Sequence, residues 1–201
     1  MLERGLATGT SGNVSARLPG GQIVITPASM PYQDMTAGDL VVLTPAGRPV
    51  AGERAPSSER LLHLACYAAF GEIGAVLHSH PVYATMFACA RQPVPAVIDE
   101  AAAFIGGAVP VAAYAMSGTA QVGANAVAVL GEVGSALLAG HGLVTIAATP
   151  AQALHQACVV EHCAQVAWGV RALGGHVPLP QPALNAFAAA YRSARGAPAI
   201  P

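Results

Sequence analysis

The element that most constrains this chain is its longest helix, opened by Thr149 as N-cap and Pro150 at the first helical position, continuing through Trp168 and stopped at Gly174-Gly175. Strands at residues 136–139 and 143–147 precede it, one on each side of a Gly140-His141-Gly142 turn. Further upstream, β-branched runs at 22–26 (QIVIT) and 39–44 (DLVVLT), the run 75–80 (AVLHSH) and residues 109–114 also read as strands. A short strand follows the turn-rich TGTSGN of residues 8–13. Pro56-Ser57-Ser58-Glu59 signals one helix start, with Leu61, Leu62, Ala65, Cys66, Ala69 and Phe70 as its apolar positions, and Pro81 signals another that runs to about Ala90. Alternating strands and helices predict an α/β fold, with strand order left open. The tail from Val177 is proline-rich, with a helical stretch around 183–193, and no repeat or linker divides residues 1–201 into more than a single domain.

Composition narrows the chemistry. All nine cationic side chains are arginine, so the chain has no lysine. A Schiff-base aldolase, an internal pyridoxal aldimine and a Walker-type phosphate loop each require a lysine amine and are excluded. With 54% hydrophobic residues and 9% charged ones, a monomer would have little polar surface, which predicts a homo-oligomer. A net charge of −1 offers no footprint for nucleic acid or an anionic membrane. Residues 101–131 carry no formal charge, but Gly106, Gly107, Pro110, Ser117, Gly118, Thr119 and Gln121 interrupt them before a membrane span is reached. Cys66, Cys89, Cys158 and Cys163 form no CxxC pair and read as buried thiols of a reduced compartment. The amino terminus has no signal-peptide pattern, so the cytoplasm is expected.

His78 and His80 lie two residues apart on a predicted strand, so both imidazoles leave the same face and can reach one ion. His141 lies between two glycines after an apolar strand. Three neutral nitrogen donors suit zinc or a similar transition ion and leave coordination positions open for substrate. Taken singly, strand histidines can be half-buried polar residues and a turn histidine only a turn residue. Glu59 starts an apolar helix in a chain with only ten acids; it either complements the helix dipole or acts as a base near the metal. Ser57 and Ser58 either cap that helix or bind an oxyanion. His155 and His162 read as packing residues, His63 as lying beside the core and His176 as a loop residue.

In chain order, TGTSGNVSAR, ITPASMPY, PSSE, HSHP and GHG before a long helix resemble the class II aldolase and adducin head family over roughly Gly5 to Gly174. The resemblance implies a three-layer α/β/α fold with a mainly antiparallel central sheet, assembled as a homotetramer with active sites at subunit interfaces. It implies a zinc ion, with cobalt or manganese as alternatives, held by His78, His80 and His141, and Glu59 as the catalytic acid–base. The phosphate site falls on Asn13, Ser29, Ser57 and Ser58 and on the backbone around Ala28-Ser29. Ala28-Ser29 departs from the usual Thr-Gly or Ser-Gly, and Ser29 stands where a glycine permits close approach. Asp99, with Glu100 beside it, stands where the fuculose-phosphate enzymes place a catalytic tyrosine contributed by a neighbouring subunit, which makes this acidic pair a candidate proton relay. Tyr191 is a candidate for the family's tail tyrosine. Relatives usually carry a further amino-terminal helix before the segment matching GLATGTSGN.

The function implied is zinc-dependent cleavage of a ketose 1-phosphate, resembling fuculose 1-phosphate, to dihydroxyacetone phosphate and an aldehyde through an enediolate that the metal stabilises. A metal can supply the electron sink that an absent lysine cannot. The same family also implies alternatives: a methylthioribulose-1-phosphate dehydratase, a decarboxylase, a 4-epimerase or a non-catalytic adducin-like interaction module.

Overall fold

The molecule is layered about one central strand. In the computed structural model, which describes residues 1–195, that strand is Ala75–Ser79 (β5), and all five of its residues are buried. Ala75 and Leu77 enter one apolar core while Val76 enters the other, because successive strand side chains point to opposite faces. The remaining strands are Asn13–Arg17 (β1), Ile23–Ile25 (β2), Val41–Leu43 (β3), Pro49–Ala51 (β4), Val111–Ala112 (β6), Ser135–Leu138 (β7) and Gly142–Ala147 (β8). They form one eight-stranded sheet in the order β4-β3-β2-β1-β5-β8-β7-β6. Every ladder is antiparallel except that between β6 and β7.

Helices Arg60–Ala69 (α1) and Ala120–Leu130 (α4) cover the Val76 face. Val82–Ala90 (α2), Asp99–Ile105 (α3) and Pro150–Ala172 (α5) cover the Leu77 face, and Gln181–Arg195 (α6) packs on α3. The fold is therefore the three-layer α/β/α arrangement with a mainly antiparallel sheet. The α5 start is as the sequence predicts: Gln152 N–H donates to Thr149 Oγ1 at 3.2 Å with Pro150 at the helix start. No helix among the described residues is long and apolar enough to cross a membrane.

Several sequence expectations change. The 39–44 strand shortens to Val41–Leu43 because the Asp39 carboxylate accepts hydrogen bonds from Thr36 N–H (2.9 Å) and Thr36 Oγ1 (2.7 Å), holding 37–39 in a 3₁₀ turn. The 109–114 strand shrinks to two residues, since Pro110 has no N–H to give the ladder. Helix α4 is unforeseen. Its polar side chains are Gln121 and Asn125 alone, one turn apart and hydrogen-bonded at 2.7 Å on the exposed side, too short a stripe to mark it. Gly123 lets it approach α1 closely, where a Cβ would lie 2.6 Å from the Ala65 Cβ. Among the cysteines, Cys66 and Cys163 are buried and Cys158 is half-buried, but Cys89 is exposed. Burial pushes the Cys66 and Cys163 thiols up to about 12, which leaves both inert.

Candidate functional site

His78 has the parity of Val76, so its ring faces the α1 and α4 layer, and His80 follows two residues on. His141 enters from the turn between β7 and β8, which the antiparallel β5/β8 ladder brings alongside. One nitrogen from each of the three rings falls in a group spanning less than 4.8 Å. His78 Nδ1 lies 2.9 Å from the Leu143 carbonyl, which can only accept, so Nδ1 carries the proton and donates while Nε2 faces the group. The turn's second glycine is required there: a Cβ on Gly142 would sit 2.6 Å from His80 Cδ2 and 2.5 Å from the Ser79 carbonyl oxygen. Burial, then the neighbouring His78 and His141, bring His80 down to about 4 against the pull of Glu59. Burial and His78 likewise lower His141. His80 and His141 are therefore neutral near pH 7 and keep the lone pairs that metal ligation needs. The donor set and the cradle fit a divalent transition ion.

Glu59 stands at the N-cap position of α1, one residue before the first helical turn in which the sequence placed it, and its side chain does not cap the helix. Instead its carboxylate joins the histidines, with Oε2 3.1 Å from His78 Nε2 and Oε1 3.2 Å from His141 Nε2. Asn13 Nδ2 donates to Oε2 at 2.9 Å and Ser117 Oγ donates to Oε1 at 2.7 Å. Burial opposes the carboxylate's charge, while the hydrogen bonds donated by Ser117 and Asn13 favour it. Tyr32, whose hydroxyl donates to the Gly12 carbonyl at 2.6 Å, is pushed up to about 12 by burial and by the charge of Glu59.

The loops that carry the expected phosphate ligands are tied together. Ala28 N–H donates to the Ala55 carbonyl at 2.9 Å, Ser57 N–H donates to the Thr26 carbonyl at 3.1 Å, and Pro27 and Pro56 form a bridge. Ser29 and Ser58 are exposed, whereas Ser57 is buried with its hydroxyl accepting from Glu59 N–H at 3.2 Å. Ser29 has φ 55°, the left-handed region that favours glycine. Asn13 is buried and aims its amide at Glu59.

Asp99 and Glu100 occupy the exposed first turn of α3, a helix absent from the sequence reading, and acidic residues there complement the helix dipole. Within the chain, α3 packs on α5 and α6, and among the described residues no hydrogen bond or ion pair joins either acid to the histidines. Tyr191 is buried on α6, its hydroxyl accepting from Gln156 Nε2 at 3.1 Å. His155 stacks edge-on against Phe104, a packing role.

Two contributors escaped the sequence reading. In the sequence Ser117 does no more than interrupt an uncharged stretch. His63 was placed beside the core, yet it is wholly buried with a ring nitrogen 2.5 Å from Asn13 Oδ1. The signal for His63 was its spacing, since residues four apart on a helix share a face and His63 follows Glu59 by four.

Three imidazoles and a carboxylate converging beside the middle strands of an α/β/α sandwich form the kind of centre on which metal-dependent enzymes act. Residues 1–168 match the family described as Class II Aldolase and Adducin N-terminal domain, and the chain belongs to it. It is 35% identical over 179 residues to the L-fuculose phosphate aldolase of Escherichia coli O6:H1, covering 89% of this chain and 82% of that one. It is 38% identical over 149 residues to the 5-methylthioribulose-1-phosphate/5-deoxyribulose-1-phosphate aldolase of Escherichia coli O45:K1, covering 74% and 69%. A solved L-fuculose 1-phosphate aldolase superposes with a TM-score of 0.90 at 34% identity, covering 95% of this chain and 90% of that one. The chain is an enzyme of the class II aldolase type, a metal-dependent class, and His78, His80 and His141 form a group able to hold the ion.

Proposed function

We propose that this enzyme cleaves a ketose 1-phosphate to dihydroxyacetone phosphate and an aldehyde. The observation that carries the reading is Glu59, whose two carboxylate oxygens reach two of the three converging histidines. His78, His80 and His141 would hold zinc, or cobalt or manganese in its place, and the ion would supply a Lewis acid for the substrate's oxygen atoms. In cleavage the C4 hydroxyl loses its proton, the C3–C4 bond breaks with its electron pair passing to C3, and C3 takes up a proton. Glu59 is the group that delivers that proton and, in the reverse direction, removes it. Ser57, Ser58, Asn13 and the left-handed Ser29 loop would receive the phosphate. In a homotetramer, Asp99 and Glu100 would reach the site of a neighbouring copy and relay the C4 hydroxyl proton.

A second reading differs only at the aldehyde end. Tyr114 and Met116 are exposed, and Met116 adjoins Ser117, whose hydroxyl touches Glu59. Such an apolar surface beside the carboxylate favours a substrate whose far end lacks a hydroxyl, such as a 5-deoxy or 5-methylthio sugar phosphate. A screen of fuculose, deoxyribulose and methylthioribulose 1-phosphates with added zinc, cobalt or manganese, coupled to detection of dihydroxyacetone phosphate, tests both. Cleavage that stops on chelation supports the proposal. Metal-replete protein that forms no dihydroxyacetone phosphate from any of them, or cleavage that survives chelation, contradicts it.

A further inference from the structure

Behind Glu59 runs a buried line of polar side chains. Tyr67 OH lies 2.9 Å from Ser15 Oγ, Ser15 Oγ lies 2.7 Å from His63 Nδ1, His63 Nε2 lies 2.5 Å from Asn13 Oδ1, and Asn13 Nδ2 donates to Glu59 Oε2 at 2.9 Å. All five residues are at most 9% exposed. Such a line has a direction, and its terminus fixes it. A carboxylate only accepts, so Asn13 must present its NH₂ to Glu59 and its carbonyl to His63. His63 must then donate from Nε2, leaving Nδ1 to accept from the Ser15 hydroxyl, which in turn accepts from Tyr67.

We infer that His63 is a positioning residue for catalysis: as a neutral imidazole protonated on Nε2, it holds the Asn13 amide in the one orientation that gives Glu59 a donor. A flipped amide would set the Asn13 carbonyl oxygen against the carboxylate. Asn13 alone has little means of choosing, because the two ends of an amide are nearly isosteric. Burial supports the neutral form, bringing His63 down to about 3 against the pull of Glu59. The same burial makes each donor in the line polarise the next. Tyr67 keeps its proton for Ser15, since burial raises it to about 12. The inference rests on Glu59 being the proton carrier, but the orientation of the line can be measured without activity.

The experiment is made on the full chain with its metal content determined. In ¹⁵N spectra of histidine-labelled protein near pH 7, His63 is expected as the neutral Nε2–H tautomer; an Nδ1–H tautomer or an imidazolium overturns the inference. In ketose 1-phosphate cleavage, His63→Leu is expected to lower kcat by about 10-fold to 100-fold, the usual range for a lost supporting hydrogen bond, with KM and metal content within about twofold. His63→Gln, which can place an amide N–H near the Nε2 position, is expected to recover most of that loss. Folded His63→Leu protein with wild-type kcat overturns the inference, as does a loss that Gln fails to recover. If His63→Leu does not fold, Ser15→Ala carries the test with a smaller fall in kcat, and an unchanged kcat overturns it. If the wild-type protein cleaves no ketose phosphate, the functional reading fails while the tautomer still decides the role of His63.

Discussion

Ser117 Oγ donates a 2.7 Å hydrogen bond to Glu59 Oε1, joining the residue at the N-cap of α1 to the loop before α4 across 58 positions of sequence. The bond stabilises the charged form of the carboxylate, and a hydrogen bond to a charged group contributes about 1.5–3 kcal/mol. Ser117→Ala is therefore expected to raise the Glu59 pKa and lower kcat about tenfold, which corresponds to roughly 1.4 kcal/mol. Steady-state kinetics at matched metal content checks this. An unchanged kcat would show that the hydroxyl matters only to packing.

Gly142 makes room for the histidine rings. A side chain there meets the Ser79 carbonyl and the His80 ring at 2.5 and 2.6 Å, and the first of these is backbone that cannot swing aside. Gly142→Ala is expected to cost about 1–3 kcal/mol of stability through overpacking. It should also weaken divalent-ion binding, because β8 and His80 must separate. Thermal denaturation with and without added zinc would report both, and wild-type values for both would refute the steric argument.

Folding stability should carry the mark of His63. Its pKa drops from 6.5 to about 3 on folding, chiefly through burial, with the charge of Glu59 opposing. The unfolded chain thus takes up this proton first as pH falls. The group's contribution is complete above about pH 6.5 and is lost on descending toward about pH 3, at up to about 1.4 kcal/mol per pH unit. Denaturant titrations between about pH 7 and pH 5 should show a shallower pH dependence for His63→Gln than for wild type. Equal slopes would mean that His63 is not buried in its neutral form.

Much of this architecture can be read from residue patterns, where a pattern reflects a local cause. The two-residue spacing of His78 and His80 places them on one sheet face whatever the rest of the chain does, and Thr149-Pro150 declares the start of α5 through its own hydrogen bond. Legibility fails where the cause is tertiary. Helix α4 offers only Gln121 and Asn125 as a polar stripe, so its type is decided by packing on α1 and the sheet. Asp39 leaves a β-branched run for a turn because Thr36 offers two hydrogen-bond donors. At the site, His78, His80, His141 and Glu59 could be named from motif order, whereas Ser117 approaches Glu59 only once α1 and α4 pack together. Strand β4 carries no buried residue at all, and so no hydrophobic alternation to announce it.

The central claim is that three histidines hold a metal ion while Glu59 moves the proton at the reacting carbon, and Glu59→Gln separates the two roles. The direct measurement is metal content per chain together with metal-replete cleavage of a ketose 1-phosphate, for wild type and Glu59→Gln side by side. Both proteins should bind one divalent ion per chain, and only the wild type should release dihydroxyacetone phosphate, the variant losing at least about 100-fold in kcat as expected for a missing acid–base group. A Glu59→Gln enzyme that binds the ion and turns over at the wild-type rate would contradict the account.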